Sequence, residues 1–164
     1  MKVICITGTP GTGKTTLSKK LALKLNFHYL DVNNFIVDNK LYGGFDKKRK
    51  TKIVDVGKLN GKLIDEIKLF NKIKMYNGII IDSHLSHYLP RKIADFCIVT
   101  KCDIKELSKR LKMKKFNKNK IQENVQAEIF DICLNEAKRK KHKVIAINTT
   151  KGFNIKDIIR KLGE

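Results

Sequence analysis

Gly8-Thr9-Pro10-Gly11-Thr12-Gly13-Lys14-Thr15, followed by Thr16, satisfies G-x-x-x-x-G-K-[ST] at every required position. The apolar run Val3-Ile4-Cys5-Ile6 precedes it, and the amphipathic stretch from Thr15 to Leu25 follows it. A phosphate-binding loop needs that order of strand, glycines and helix. The glycines let backbone N–H groups turn inward around phosphate oxygens, and the helix N-terminus adds positive potential. Lys14 is spaced to reach the β- and γ-phosphates, and the Thr15 hydroxyl to sit on Mg²⁺. A glycine-rich turn with a chance lysine would require neither flanking element. The stretch therefore predicts binding of a nucleoside triphosphate.

Working outward, short apolar runs predict strands at Lys2–Thr7, His28–Asp31, Gly78–Asp82, Asp95–Thr100 and Lys143–Asn148. Between them lie helix patterns at Lys14–Leu25, Val32–Asn39, Val56–Tyr76, Ile104–Met113, Lys120–Lys140 and Ile155–Leu162, with Asp103 placed as an N-cap. Such alternation predicts an α/β P-loop fold: a parallel five-stranded sheet with helices on both faces and ligand at the carboxyl ends of the strands. The 164 residues read as one domain. Two segments interrupt the alternation, at roughly 31–54 and 113–123. In P-loop kinases these places hold the acceptor-binding segment and a mobile lid.

Composition narrows the class. A 41% hydrophobic fraction fits an ordinary globular chain. No apolar run approaches the ~20 residues that span a bilayer. The N-terminal run leads straight into the glycine loop, so it reads as a buried strand rather than a signal peptide. Cys5, Cys97, Cys102 and Cys133 lack C-x-x-C spacing and read as reduced core thiols of a cytoplasmic protein. Lys plus Arg number 36 against 16 Asp plus Glu, a net of +20. Two readings account for that excess: a polyanionic partner such as RNA or a ribonucleoprotein, or a lysine-rich composition with solvated faces.

Gly78-Ile79-Ile80-Ile81-Asp82 is an apolar strand ending in a carboxylate, the form of a Walker B element that delivers Asp82 to the metal. His84 follows two residues later. It either orients an attacking water or relays a proton, or it caps the strand end and packs. His87 is assigned to the loop surface, and His28 and His142 to structural or exposed positions. Phosphoryl transfer needs cations around the migrating group. Lys14, Arg110, Lys112, Lys114 and Lys120 are the candidates, with Arg110 and Lys114 one helical turn apart.

With these residues in view, the chain resembles the CINAP-type adenylate kinase family (adenylate kinase isoenzyme 6), in its archaeal branch. The resemblance rests on Gly8–Thr16, on Asp82-Ser83-His84, and on Glu123-Asn124-Val125-Gln126-Ala127-Glu128-Ile129-Phe130, which is similar to the family's N-x-Q-x-E-I-F stretch. It covers about residues 1–150 and implies a nucleoside monophosphate kinase fold. It implies broad adenylate kinase activity (ATP + AMP to 2 ADP) with ATP hydrolysis. A role in small-subunit ribosomal RNA maturation, with a small-subunit ribosomal protein and rRNA as partners, is also implied. By position, Gly8, Gly11, Thr12, Gly13, Lys14, Thr15, Thr16, Arg110 and Lys114 would hold ATP. Thr15 and Asp82 would hold Mg²⁺, and Lys14, Asp82 and His84 would serve catalysis.

Departures accompany the match. Where the family reads R-x-x-x-R-G-[YW], this chain reads Arg110-Leu111-Lys112-Met113-Lys114-Lys115-Phe116. Lysine keeps the charge at 114 but lacks the planar fork that grips phosphate bidentately. A non-glycine residue at 115 is expected to stiffen the lid. The acceptor side is short of arginine: Arg49 and Arg91 are the candidates, with Lys47, Lys48 and Lys52 as point charges. Tyr42 or Phe45 could line a base pocket or simply pack. A kinase of another small-molecule acceptor, without a ribosomal role, is the alternative.

Overall fold

A computed structural model describes residues 1–46 and 51–163. Its main sheet contains β1 (Lys2–Gly8), β2 (His28–Asp31), β5 (Gly78–Asp82), β6 (Phe96–Lys101) and β7 (Val144–Asn148). Their order is β2-β5-β1-β6-β7, and every neighbouring pair is parallel. All five expected strands are present. β1 lies in the middle, so the loop that follows it opens at the centre of the sheet's carboxyl edge.

Alternation along each strand divides the core between two faces. Val3, Cys5, Ile79, Ile81, Cys97 and Val99 point to one side, where they meet α2 (Val32–Asp38), α3 (Val56–Ile73) and α6 (Ile132–Arg139) through Ile36, Leu59, Leu63 and Ala137. Ile4, Ile6, Ile80 and Ile98 point to the other side, against Leu17 and Leu21 of α1 (Lys14–Leu25) and Ile158 of α7 (Ile155–Lys161). Each inward aliphatic side chain contributes about 1.5–3 kcal/mol of burial. This is why fully apolar strands appear where helices cover both faces.

Local chemistry sets the helix ends. Asp31 accepts from Asn33 N and Asn34 N at the start of α2, and Asp55 accepts from Lys58 N at the start of α3. Asp103 occupies the N-cap of α4 (Ile104–Met113) as expected, but its side chain makes no capping bond; its N–H donates to Thr150 Oγ1. The expected single helix over 120–140 is instead two: α5 (Lys118–Ile129), capped by Asn117, and α6. Asp131 separates them in the left-handed region at φ 53°. No glycine or proline marks that break, so helical periodicity runs through it unseen. The segment at 31–54 contains an unforeseen antiparallel hairpin, β3 (Tyr42–Asp46) with β4 (Thr51–Val54).

Candidate active site

The phosphate loop is shaped by close approach. A Cβ on Gly8, at φ +140°, would lie 2.5 Å from the Thr100 carbonyl; one on Gly11, at φ +92°, would lie 2.9 Å from Leu107 of α4. Only glycine lets the loop pass so near its neighbours. Lys14 Nζ donates to the carbonyls of Gly8 (2.8 Å) and Thr9 (3.1 Å), curling back over the loop. Thr12 is engaged inside the loop: its N–H and hydroxyl both donate to the Thr9 carbonyl, and the hydroxyl meets Thr100 Oγ1 at 2.6 Å. Thr15 and Thr16 are exposed at the start of α1.

A cavity of about 760 Å³ opens here. Lys14, Thr15, Asp82 and His84 stand on its wall, and Lys114 and Lys120 come to it from the α4–α5 arm. A second cavity, also about 760 Å³, shares Gly11, Gly13, Thr16 and Lys114 and adds Arg110 and Phe153. The loop lies between the two. Arg110 is held by Glu106 (2.8 Å) and by the carbonyls of Thr149 (3.0 Å) and Thr150 (3.1 Å). Its guanidinium is therefore fixed against the chain that follows β7.

Asp82, buried at the end of β5, accepts from the Tyr29 hydroxyl at 3.0 Å. Burial and the Asp82 charge raise the Tyr29 pKa, so this phenol stays a donor. Sequence reasoning missed Tyr29; no motif marks a tyrosine on a neighbouring strand. The hard oxygens of Thr15 and Asp82 suit Mg²⁺, which takes one or two protein ligands and completes its shell with water and phosphate.

His84 faces the open cavity, and desolvation there, with Lys14, His87 and Lys120, lowers its pKa well below the ordinary imidazole range. It is neutral at pH 7. His87 corrects the expectation of a surface residue: it is 1% exposed. Its Nδ1 lies 2.8 Å from Thr7 Oγ1, and its Nε2 lies 2.9 Å from Glu136. His142 is structural, with Nε2 2.9 Å from the His87 carbonyl, and His28 stacks on Phe70. Among the thiols, Cys5, Cys97 and Cys102 are buried, and Cys133 is half-buried, packed against the core and lining the main cavity.

On the acceptor side, Arg91 is exposed and Tyr42 lies outside the cavity wall. Lys47, Lys48 and Arg49, and the side chains of Phe45 and Lys52, lie outside the described residues.

Burial lowers the Lys14 pKa to about 8, with Asp82 pulling the other way. Below pH 8 the amine is protonated in both the folded and the unfolded chain. Between 8 and its unfolded value of about 10.4 the folded chain binds fewer protons, so this group makes stability rise with pH there. A bound polyphosphate would restore the ammonium. ATP binding at pH 9 is therefore expected to take up a proton, measured by calorimetry in buffers of different ionisation enthalpy. Zero uptake would place the amine away from the phosphates.

The AAA domain family matches residues 4–131. A "Putative adenylate kinase" of Methanocaldococcus jannaschii is 39% identical over 145 residues, 88% of this chain and 77% of that protein. An adenylate kinase isoenzyme 6 homolog of Caenorhabditis elegans is 34% identical over 135 residues, 82% of this chain and 71% of that protein. The chain belongs to the adenylate kinase isoenzyme 6 family. It is a nucleotide kinase of P-loop fold, a phosphotransferase. The fold is shared with deoxyadenosine kinase from M. mycoides, at TM-score 0.59 and 16% identity over the whole of both chains.

Family membership gives the 110–116 departure a physical meaning. Lys115 sits at φ 57°, its N–H donates to Lys112 O (2.9 Å), and Phe116 N–H donates to Leu111 O (3.2 Å). This is a Schellman ending for α4, completed by contact of Phe116 with the Leu111 cluster. Glycine suits such a position, and a side chain there costs roughly 1–2 kcal/mol. The aromatic at 116 is the apolar clasp of the motif, and Lys120 covers its ring at 4.7 Å.

Proposed function

We propose that this protein is a broad-specificity adenylate kinase, converting ATP and AMP to two ADP, with an ATPase activity. We further propose that this activity serves small-subunit ribosomal RNA maturation, in the cytoplasm, with a small-subunit ribosomal protein and rRNA as partners. The observation that carries the catalytic part is the convergence of Lys14, Thr15, Asp82 and His84 on one cavity wall. The relatives' names support the adenylate kinase reading. For the ribosomal role the support is the +20 charge and the family resemblance. No helix among the described residues is long and apolar enough to cross a membrane.

In this reading the triphosphate lies along the loop. Lys14 would leave its two carbonyls for the β- and γ-phosphates. The nucleoside end would extend into the second cavity, where Arg110 is fixed and Phe153 stands on the wall with Lys20 over its ring. Thr15 and Asp82 would hold Mg²⁺, which would neutralise phosphate charge during transfer. Lys114 and Lys120 would meet the charge that develops on the migrating group. The acceptor would enter from the segment at 31–54, and the 113–123 arm would exclude water as the lid. The γ-phosphoryl then passes from the β-phosphate oxygen of ATP to an oxygen of AMP, or of water in the hydrolytic reaction.

Neutral His84 at the cavity wall is suited to orient that water. His84→Ala is expected to lower phosphate release about 10²-fold while changing ATP affinity little. Parallel loss of both in titration and turnover assays would make His84 structural.

A kinase acting on another small acceptor is the second reading. It is favoured by one observation: no arginine stands on the main cavity wall among the described residues. Measuring ADP and phosphate release from ATP and Mg²⁺, with and without AMP, tests both. Two ADP formed per ATP consumed, dependent on AMP, supports the adenylate kinase. Phosphate release independent of AMP and altered by a ribosomal protein or RNA supports the assembly ATPase. Neither result, with phosphorylation of another acceptor, would move the assignment to the second reading.

A further inference from the structure

Glu128 belongs to the Asn124–Phe130 stretch that distinguishes the chain, yet no catalytic step described above uses it. It is 5% exposed, and its carboxylate meets three donors from two places in the sequence. Oε2 accepts from Thr9 Oγ1 at 2.6 Å. Oε1 accepts from Cys102 N at 3.0 Å and lies 2.9 Å from Lys101 Nζ. Lys101 closes the arrangement, donating also to the Glu128 carbonyl at 3.2 Å and to the Asp131 carboxylate.

Thr9 is the second residue of the phosphate loop and is held at both ends. Its carbonyl receives Lys14 Nζ, Thr12 N and Thr12 Oγ1; its hydroxyl is held by Glu128. On the other side of the clamp, α5 carries Lys120, Glu123, Asn124 and Ala127 along the main cavity. One buried carboxylate thus joins the loop that bears Lys14 to the helix that bears Lys120.

We infer that Glu128 is a positioning residue, clamping the phosphate loop through Thr9 to α5 so that cations from the loop and from the arm meet the transferring phosphoryl group in register. This rests on the phosphate-loop reading of Lys14. A 2.6 Å hydrogen bond to a carboxylate is short and directional, as charge-assisted bonds are. Carboxylate and hydroxyl are both buried, so water cannot replace either partner. Misplacing a catalytic group by about 1 Å can cost on the order of 10²-fold in rate without weakening ground-state binding.

Thr9→Val removes the hydroxyl at constant shape and leaves the buried charge in place; Thr9→Ser keeps the hydroxyl. Thr9→Val is expected to lower kcat by about 10-fold to 10²-fold with KM for ATP within about twofold, and Thr9→Ser to stay near the parent. Glu128→Gln is expected to reproduce the Thr9→Val loss, and the double variant to fall no further than the worse single one. Parent-like kcat in Thr9→Val would overturn the inference even if Glu128→Gln does not fold. Losses that multiply in the double variant would also overturn it. Lys14→Ala separates the two levels of the argument. Inactivity there with a fully active Thr9→Val removes the clamp and leaves the phosphate site standing. Activity there removes the site and the clamp together.

Discussion

Lys14→Ala should reduce phosphoryl transfer by about 10³-fold or more, because it removes the charge proposed above to meet the β- and γ-phosphates. The same change should leave the fold as stable as the parent, or more so. The ammonium has two backbone carbonyls as partners, and burial lowers its pKa from 10.5 to about 8. At pH 7 the folded chain therefore holds this charge less comfortably than the unfolded chain does, and alanine relieves that strain. Thermal melts at pH 7 should show a midpoint equal to or above the parent. Adding ATP and Mg²⁺ should raise the parent's midpoint and barely move the variant's. A variant that keeps near-parent turnover would exclude Lys14 from the reaction. One that melts far below the parent would show that the loop depends on the ammonium for its shape.

Asp82→Asn is expected to have the next largest effect, about 10²-fold to 10³-fold on turnover. Asparagine keeps an oxygen for the Tyr29 hydroxyl at the 3.0 Å position and preserves the volume at a buried strand end. What it loses is the negative charge proposed above to hold Mg²⁺. The half-saturating Mg²⁺ concentration should rise along with the fall in turnover. Asp82 also raises the Lys14 pKa against desolvation, so in Asp82→Asn the Lys14 amine should titrate lower still. Unchanged Mg²⁺ dependence would leave Asp82 as a partner of Tyr29 and no more.

The two residues stand together because of the sheet order. β1 lies between β5 and β6, and Ile6 pairs in register with Asp82, so the loop leaves the sheet beside that carboxylate. Tyr29 reaches the same carboxylate because Asp31 of β2 pairs with Asp82 on the far side of β5.

Local spacing along the chain specifies the phosphate loop, the five parallel strands, the two-faced helical cover and the carboxylate at the end of β5. Each of these is written in contiguous residues whose spacing carries its own physics: glycines where a side chain cannot fit, apolar runs where both faces are covered, an aspartate at a strand's last position. The departure at 110–116 was legible too, but that Lys115 takes a left-handed backbone at the end of α4 was not. Long-range packing set the rest. It buried His87 between Thr7 and Glu136, which come from β1 and α6. It divided the expected long helix at Asp131, whose carboxylate is held by Lys101 from β6. It brought Glu128 to Thr9 across 119 residues and the Thr149 hydroxyl to the Thr12 carbonyl across 137. Such bonds leave no periodic trace along the chain, because strand order and the packing of α5 and α6 against it select the partners.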